Sequence, residues 1–231
     1  TTLFRSPLSM EMCMLEDDQY TRLIFVTADI FAFDKMIVDS VRRHALLWGI
    51  DSECIVLNAS HTHYAPGTLA GMHEAMGPYY DNYANQLTKI IVSNLQQLYD
   101  GLEPCTISIG KTDVRIGMNR RGVRAGKVVF EPNPSGISIY DTPILKISLN
   151  SSRKTIIWVN HGCHPTGMGA DTRISADYPG VMKKVLLRDG TADGVMFFQG
   201  AAGTCKAVKK HQQELSFSNC MSDVGKNGQQ L

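Results

Sequence analysis

Two short segments carry four of the seven histidines of this chain. One is Ser60-His61-Thr62-His63-Tyr64-Ala65-Pro66-Gly67; the other is His161-Gly162-Cys163-His164-Pro165-Thr166. Neutral imidazole is the commonest side-chain ligand for zinc-like metals, and it moves protons near neutral pH. His61 and His63 stand two apart. In an extended segment both rings then face one side and Thr62 the other, so one ring could bind metal while its neighbour carries a proton. His161 and His164 stand three apart around Gly162. Of such a pair one is usually the ligand and the other supports it. His164, biased towards extended backbone by Pro165, is favoured as the ligand. The competing reading is satisfied loop histidines. Two such pairs about a hundred residues apart, each directly after an apolar run, favour a metal-dependent active site.

Other polar residues have weaker claims. Glu74, Asp171 and Asp177 are the acidic residues that follow the clusters. Asp177 reads equally as a site carboxylate or as the cap of the helix that follows. Asn119-Arg120-Arg121 offers guanidinium forks suited to a carboxylate or oxyanion, against the plainer reading of a solvated basic loop. Gln199-Gly200-Ala201-Ala202-Gly203 could present backbone N–H groups to an oxyanion. Lys206, Lys209, Lys210 and His211 read as a solvated helix face.

The elements that must position these groups follow from periodicity. Residues 21–30 (TRLIFVTADI) and 53–59 are apolar, β-branched runs and read as strands. Between them residues 34–49 carry Ile37, Val41, Ala45 and Leu46 at helical spacing, with Gly49 as the stop signal. This β-α-β order predicts a parallel crossover. Residues 78–99 make the longest helical pattern, with a core stripe of Tyr80, Tyr83, Leu87, Ile90, Ile91, Leu95 and Leu98. Residues 105–114 read as a strand, and 117–137, rich in Gly and Pro, as a long loop or irregular hairpin. Residues 141–149 and 154–160 predict a hairpin around Asn150–Arg153. A helix over 179–189 and a buried strand over 193–198 complete the pattern. The fold class is α/β, a mixed β-sheet flanked by helices, with the active site at the strand carboxyl ends, where both histidine clusters lie.

Bulk properties agree with a single α/β domain over residues 1–231. The hydrophobic fraction of 43% supports a core. A formal net charge of +1 gives no reason to expect nucleic acid or an anionic membrane as partner. No stretch approaches the ~20 apolar residues of a membrane span. Both termini read as the interior of a larger domain, incomplete at both ends. The six cysteines include no Cys-x-x-Cys pair and read mostly as buried small hydrophobes, which leaves the compartment open.

Several segments, in order, resemble the neutral/alkaline (non-lysosomal) ceramidases and their bacterial relatives. Ala59–Gly67 resembles that family's Ser-Ala-Thr-His-Thr-His-Ser-Gly-Pro-Gly segment. Asn119-Arg120 resembles its Asn-Arg, and Val159–Thr166 its strand ending in His-Pro. Ile174–Gly180 resembles its Ser-Asp-x-x-Gly helix start, and Phe197–Gly203 the run before its Gly-Asp motif. The resemblance implies the N-terminal portion of a ceramidase-like catalytic domain that hydrolyses the amide of N-acylsphingosines to fatty acid and sphingoid base, using one zinc ion. It implies His61 and His164 as zinc ligands, with His63 and Arg120 as catalytic groups. It further implies a lipid amide substrate, membrane contact through that substrate, and a secreted or periplasmic setting. Two features depart from the pattern. Gly203-Thr204-Cys205-Lys206 stands where the family has Gly-Asp-x-Ser. The Glu and Tyr that complete the family's zinc site belong to a more C-terminal part. Two other readings compete: a metallohydrolase of another amide or ester, and a non-catalytic homologue that has lost the full zinc site.

Overall fold

The structure, a computed structural model, describes residues 5–72 and 78–207. Glu74, Lys209, Lys210, His211 and Cys220 lie outside the described residues.

Both faces of the strands are apolar, and that pattern dictates the layering. In β2 (Arg22–Ala28), Ile24 and Val26 point one way and Phe25 the other. In β8 (Thr155–His161), Ile157 and Val159 oppose Ile156 and Trp158. In β9 (Gly194–Gln199), Val195 and Phe197 oppose Met196 and Phe198. A strand apolar on both faces must be covered on both, and here one face of each main sheet is covered by the other sheet and the opposite face by helices. The strands divide among three sheets. One runs β1 (Met10–Glu16), β2, β3 (Ile55–Ala59); β1–β2 is antiparallel and β2–β3 parallel. A second runs β4 (Cys105–Asp113), β7 (Asp141–Leu149), β8, β9, with only β8–β9 parallel. These two sheets stack through Phe25, Trp158, Met196 and Ile147, with the Phe25 and Trp158 rings 4.6 Å apart.

Helices cover the outer faces. Helix α1 (Lys35–Leu46) buries Ile37, Val41 and Ala45 on the first sheet, and Asp34 caps it by accepting from the Met36 N–H. Gly49, at φ +70°, turns the chain back after it. The expected helix over 78–99 begins at Asp81 and divides at Asn94 into α2 (Asp81–Ser93) and α3 (Leu95–Asp100). Its core stripe is Ala84, Leu87, Ile91 and Leu95, whereas Tyr80 and Ile90 are exposed. Helix α4 (Asp177–Arg188) lays Tyr178, Met182 and Leu186 on the second sheet. The layers therefore run α, β, β, α. The mixed α/β class stands, with two main sheets where one was expected.

The glycine-rich stretch is the third sheet: β5 (Gly117–Arg124) pairs with β6 (Lys127–Asn133) and with β10 (Cys205–Ala207). Ala125 and Gly126, at φ +49° and +74°, close the β5–β6 hairpin. Positive φ at both central residues is what a type I′ turn requires. Arg120 thus stands on a strand, beside a bulge at Asn119–Arg121. Lys206 stands on strand β10 and not on a helix face.

Candidate metal centre

Strands β3 and β8 belong to different sheets yet end at the same edge of the stack. Asn58 ties β3 to β9, the parallel neighbour of β8: its Oδ1 accepts from the Gln199 N–H at 2.8 Å and its amide donates to the Gln199 carbonyl at 3.5 Å. The chain leaving β3 stays bonded to β2, through the Ser60 N–H to the Ala28 carbonyl and the His61 N–H to the Ile30 carbonyl. His61 then adopts φ +64°, a left-handed conformation uncommon for residues with a Cβ. The segment is therefore not extended as the sequence suggests. The sidedness still holds, because Thr62 is buried and donates to the Ser175 carbonyl, which turns it away from the two rings.

The chain leaving β8 is pinned against β10. The His164 N–H donates to the Cys205 carbonyl and the Ala207 N–H to the His164 carbonyl. Together these connections bring His61, His63 and His164 into one cluster. One ring nitrogen from each lies within 4.8 Å of the others, a spacing that could hold a metal ion. Their rings pack edge to face or tilted at 4.6–5.2 Å, with Phe31 against His61 and His63.

The hydrogen bonds constrain the ring tautomers. His61 Nδ1 lies 2.9 Å from the Phe31 carbonyl, so it carries the proton and leaves Nε2 bare. His164 Nδ1 lies 3.3 Å from the Ala202 carbonyl and 3.1 Å from Arg120 Nη2. Arg120 only donates, so Nδ1 cannot accept from it and donate to Ala202 at once; the tautomer that donates to Ala202 is the one that leaves the Nε2 lone pair for a metal, the arrangement typical of ligating histidines. His164 Nε2 and His63 Nε2 are 3.1 Å apart. Burial, then the Arg120 charge, lower His164 to about 4. Burial, then His61 and Arg120, lower His63 to about 4. Both rings are thus neutral at physiological pH, as ligation or proton acceptance demands.

Arg120 completes the site. Its Nε and Nη2 both donate to the Gly203 carbonyl at 3.3 Å, its backbone N–H to Thr204, and its guanidinium stacks 4.5 Å over Phe130. Sequence alone favoured a solvated loop at Asn119-Arg120-Arg121, but Asn119 is buried and Arg120 faces His164. The 199–204 turn differs from expectation as well. Its Gly200 N–H is engaged by the His161 carbonyl, and its Gly203 and Ala202 carbonyls face Arg120 and His164.

The remaining candidates stand apart from the cluster. His161 is buried in the core, with Nδ1 2.8 Å from Thr142 Oγ1 and its ring edge-on to Tyr178. Burial lowers its pKa to about 4. Asp171 is tied to Arg173, which holds its carboxyl below the usual range. Asp177, at φ +52°, accepts from the N–H groups of Gly167 and Tyr178 and so anchors the loop that follows His164. Burial raises its pKa. Sequence reading passed over Phe31, whose carbonyl orients His61 and whose ring packs on two histidines. Its position after the strand-ending Asp29-Ile30 was the only signal.

An α/β/β/α stack with histidines at the strand carboxyl ends defines a recognisable architecture. The fold is similar to that of the neutral ceramidase from Pseudomonas aeruginosa, at a TM-score of 0.75 and 18% identity, over 96% of this chain and 40% of that one. It is also similar to that of a ceramidase complexed with C2, at 0.75 and 17%, over 96% and 39%. This chain thus has the fold of part of those structures and spans about two fifths of their length. No family model matches it, and no curated protein matches it in sequence.

Proposed function

We propose that this chain forms the histidine half of the zinc site of a ceramidase-type amidohydrolase. The observation that carries the reading is the convergence of His61, His63, His164 and Arg120 at the strand ends of this fold. The donor set fits zinc: neutral imidazoles, two of them with Nδ1 at a backbone carbonyl and Nε2 turned away from it. His61 and His164, so placed, are the ligands. His63, packed against Phe31 and His164, is the proton carrier. When bound, zinc supplies a Lewis acid that polarises the amide carbonyl and acidifies water. Neutral His63 takes up the proton of the attacking water and returns it to the leaving amine. Arg120, fixed by Gly203 and Phe130, keeps a cation where negative charge develops on the carbonyl oxygen. Two histidines are fewer than the three protein ligands of an ordinary catalytic zinc. The resemblance assigns the remaining ligands to the part of the longer proteins that this chain does not match. The substrate is an N-acylated sphingoid base, met at a lipid surface.

Metal analysis by mass spectrometry tests the ligand set. The purified protein is expected to hold zinc, and His61→Ala and His164→Ala to lose most of it. Unchanged zinc in both variants overturns the assignment. A panel of fluorescent ceramide and short acyl amides tests the substrate: turnover of the short amides alone would shift the reading to another metallohydrolase.

A further inference from the structure

Behind His164, on the side away from the imidazole cluster, two cysteines face each other. Cys163 precedes the histidine, and Cys205 supplies the carbonyl that accepts its N–H. The single parallel bridge between His164 and Lys206 puts Cys163 and Cys205 one step back in the same register, directly opposite each other. Neighbouring strands lie ~4.8 Å apart, inside the ~4.4–6.8 Å Cα separation that a disulfide spans. The side chains converge as well as the backbones. A Cβ built on Gly117 would lie 2.5 Å from the Cys163 sulfur and 2.6 Å from the Cys205 sulfur. Both sulfurs therefore crowd one spot, kept open by a residue without a side chain. Both are free thiols, 0% and 3% exposed.

We propose that Cys163 and Cys205 are a redox pair that hydroperoxide oxidises to a disulfide, stapling the His164 loop to the strand beside Arg120. The burial selects a small oxidant over a bulky disulfide. Peroxide oxidises the Cys205 sulfur to a sulfenic acid, its O–O bond breaking and one water leaving. The Cys163 sulfur then attacks the Cys205 sulfur, the S–S bond forms, and the hydroxyl departs with the Cys163 proton as a second water. Two thiols lose two electrons and two protons, and one peroxide becomes two waters. The staple joins the residue before His164 to the residue after Thr204, whose carbonyl holds the Arg120 backbone. It would fix the two halves of the candidate site relative to each other. The cross-link needs no metal and is independent of the zinc reading.

The test is a peptide map of the full chain after mild peroxide and alkylation, without reduction. The expected result is a linked pair of peptides containing Cys163 and Cys205, lost on dithiothreitol treatment, with two fewer alkylatable thiols. Cys163→Ser and Cys205→Ser should each abolish it. A Gly117→Ala protein that remains folded by circular dichroism should also lack the link, because the added methyl wedges between the sulfurs. Full alkylation of both cysteines after peroxide, separate sulfinic acids at the two positions, or a folded Gly117→Ala protein that still cross-links would each overturn the proposal. If Gly117→Ala does not fold, the wild-type map decides alone.

Discussion

Replacing His61 by glycine and by alanine separates backbone strain from metal binding at one position. His61 sits at φ +64°, where a residue with a Cβ costs about 1–2 kcal/mol. Its side chain adds the Nδ1–H bond to the Phe31 carbonyl at 2.9 Å, worth about 1 kcal/mol. It also packs on the Phe31 ring at 4.3 Å. Both variants lose the bond and the packing, but only glycine also relieves the strain. Glycine in turn costs about 0.5–1 kcal/mol in unfolded-state entropy relative to alanine. The difference predicts His61→Gly more stable than His61→Ala by about 0.5–1 kcal/mol, the reverse of the order at an ordinary extended position. Urea unfolding with chelator present measures this as a shift in midpoint at constant slope. Zinc content, measured separately, should fall equally in both variants. Equal stabilities, or alanine the more stable, would refute the left-handed strain. A zinc content that differs between the two variants would refute the side chain as ligand.

Three further outcomes are expected. His161 is 3% exposed with a pKa lowered from 6.5 to about 4. The unfolded state therefore binds the extra proton first, and stability present above pH ~6.5 is lost as pH falls towards 4, by up to about 3 kcal/mol; chemical denaturation at stepped pH measures it, and His161→Gln should flatten the profile. Lys183 of α4, buried at 5% exposure, bonds Asp29 at 2.7 Å and Glu11 at 3.2 Å. Lys183→Met strands those carboxylates and should cost about 3–5 kcal/mol in denaturant midpoint analysis. Arg120→Lys keeps the charge but loses the fork on the Gly203 carbonyl and the stacking on Phe130; under the amidohydrolase reading kcat should fall about 10²-fold, towards the loss seen when one oxyanion donor is removed, with stability changed by less than about 1 kcal/mol.

The order of strands and helices was legible where one periodicity dominates. The β2–α1–β3 crossover, the β7–β8 hairpin and α4 lie close to where their apolar spacing puts them. Strand β1 escaped notice because Met10, Met12 and Met14 alternate with Glu11 and Cys13 in a run of flexible side chains of weak strand preference. The β5–β6 hairpin was obscured because its glycines and prolines signal turns locally. Gly117 is needed instead for the close approach of two sulfurs.

The sequence by itself determined the chemistry on offer, two histidine pairs each following an apolar strand, because residue type and period are local properties. Which histidines meet was decided by tertiary structure alone. Separate sheets carry β3 and β8, and the stacking of Phe25 on Trp158, the Asn58–Gln199 bonds and the His164–Lys206 bridge align their ends. The same packing sent His161 into the core and set Arg120 beside His164. Such contacts join residues from about forty to 141 positions apart, and no spacing along the chain encodes them.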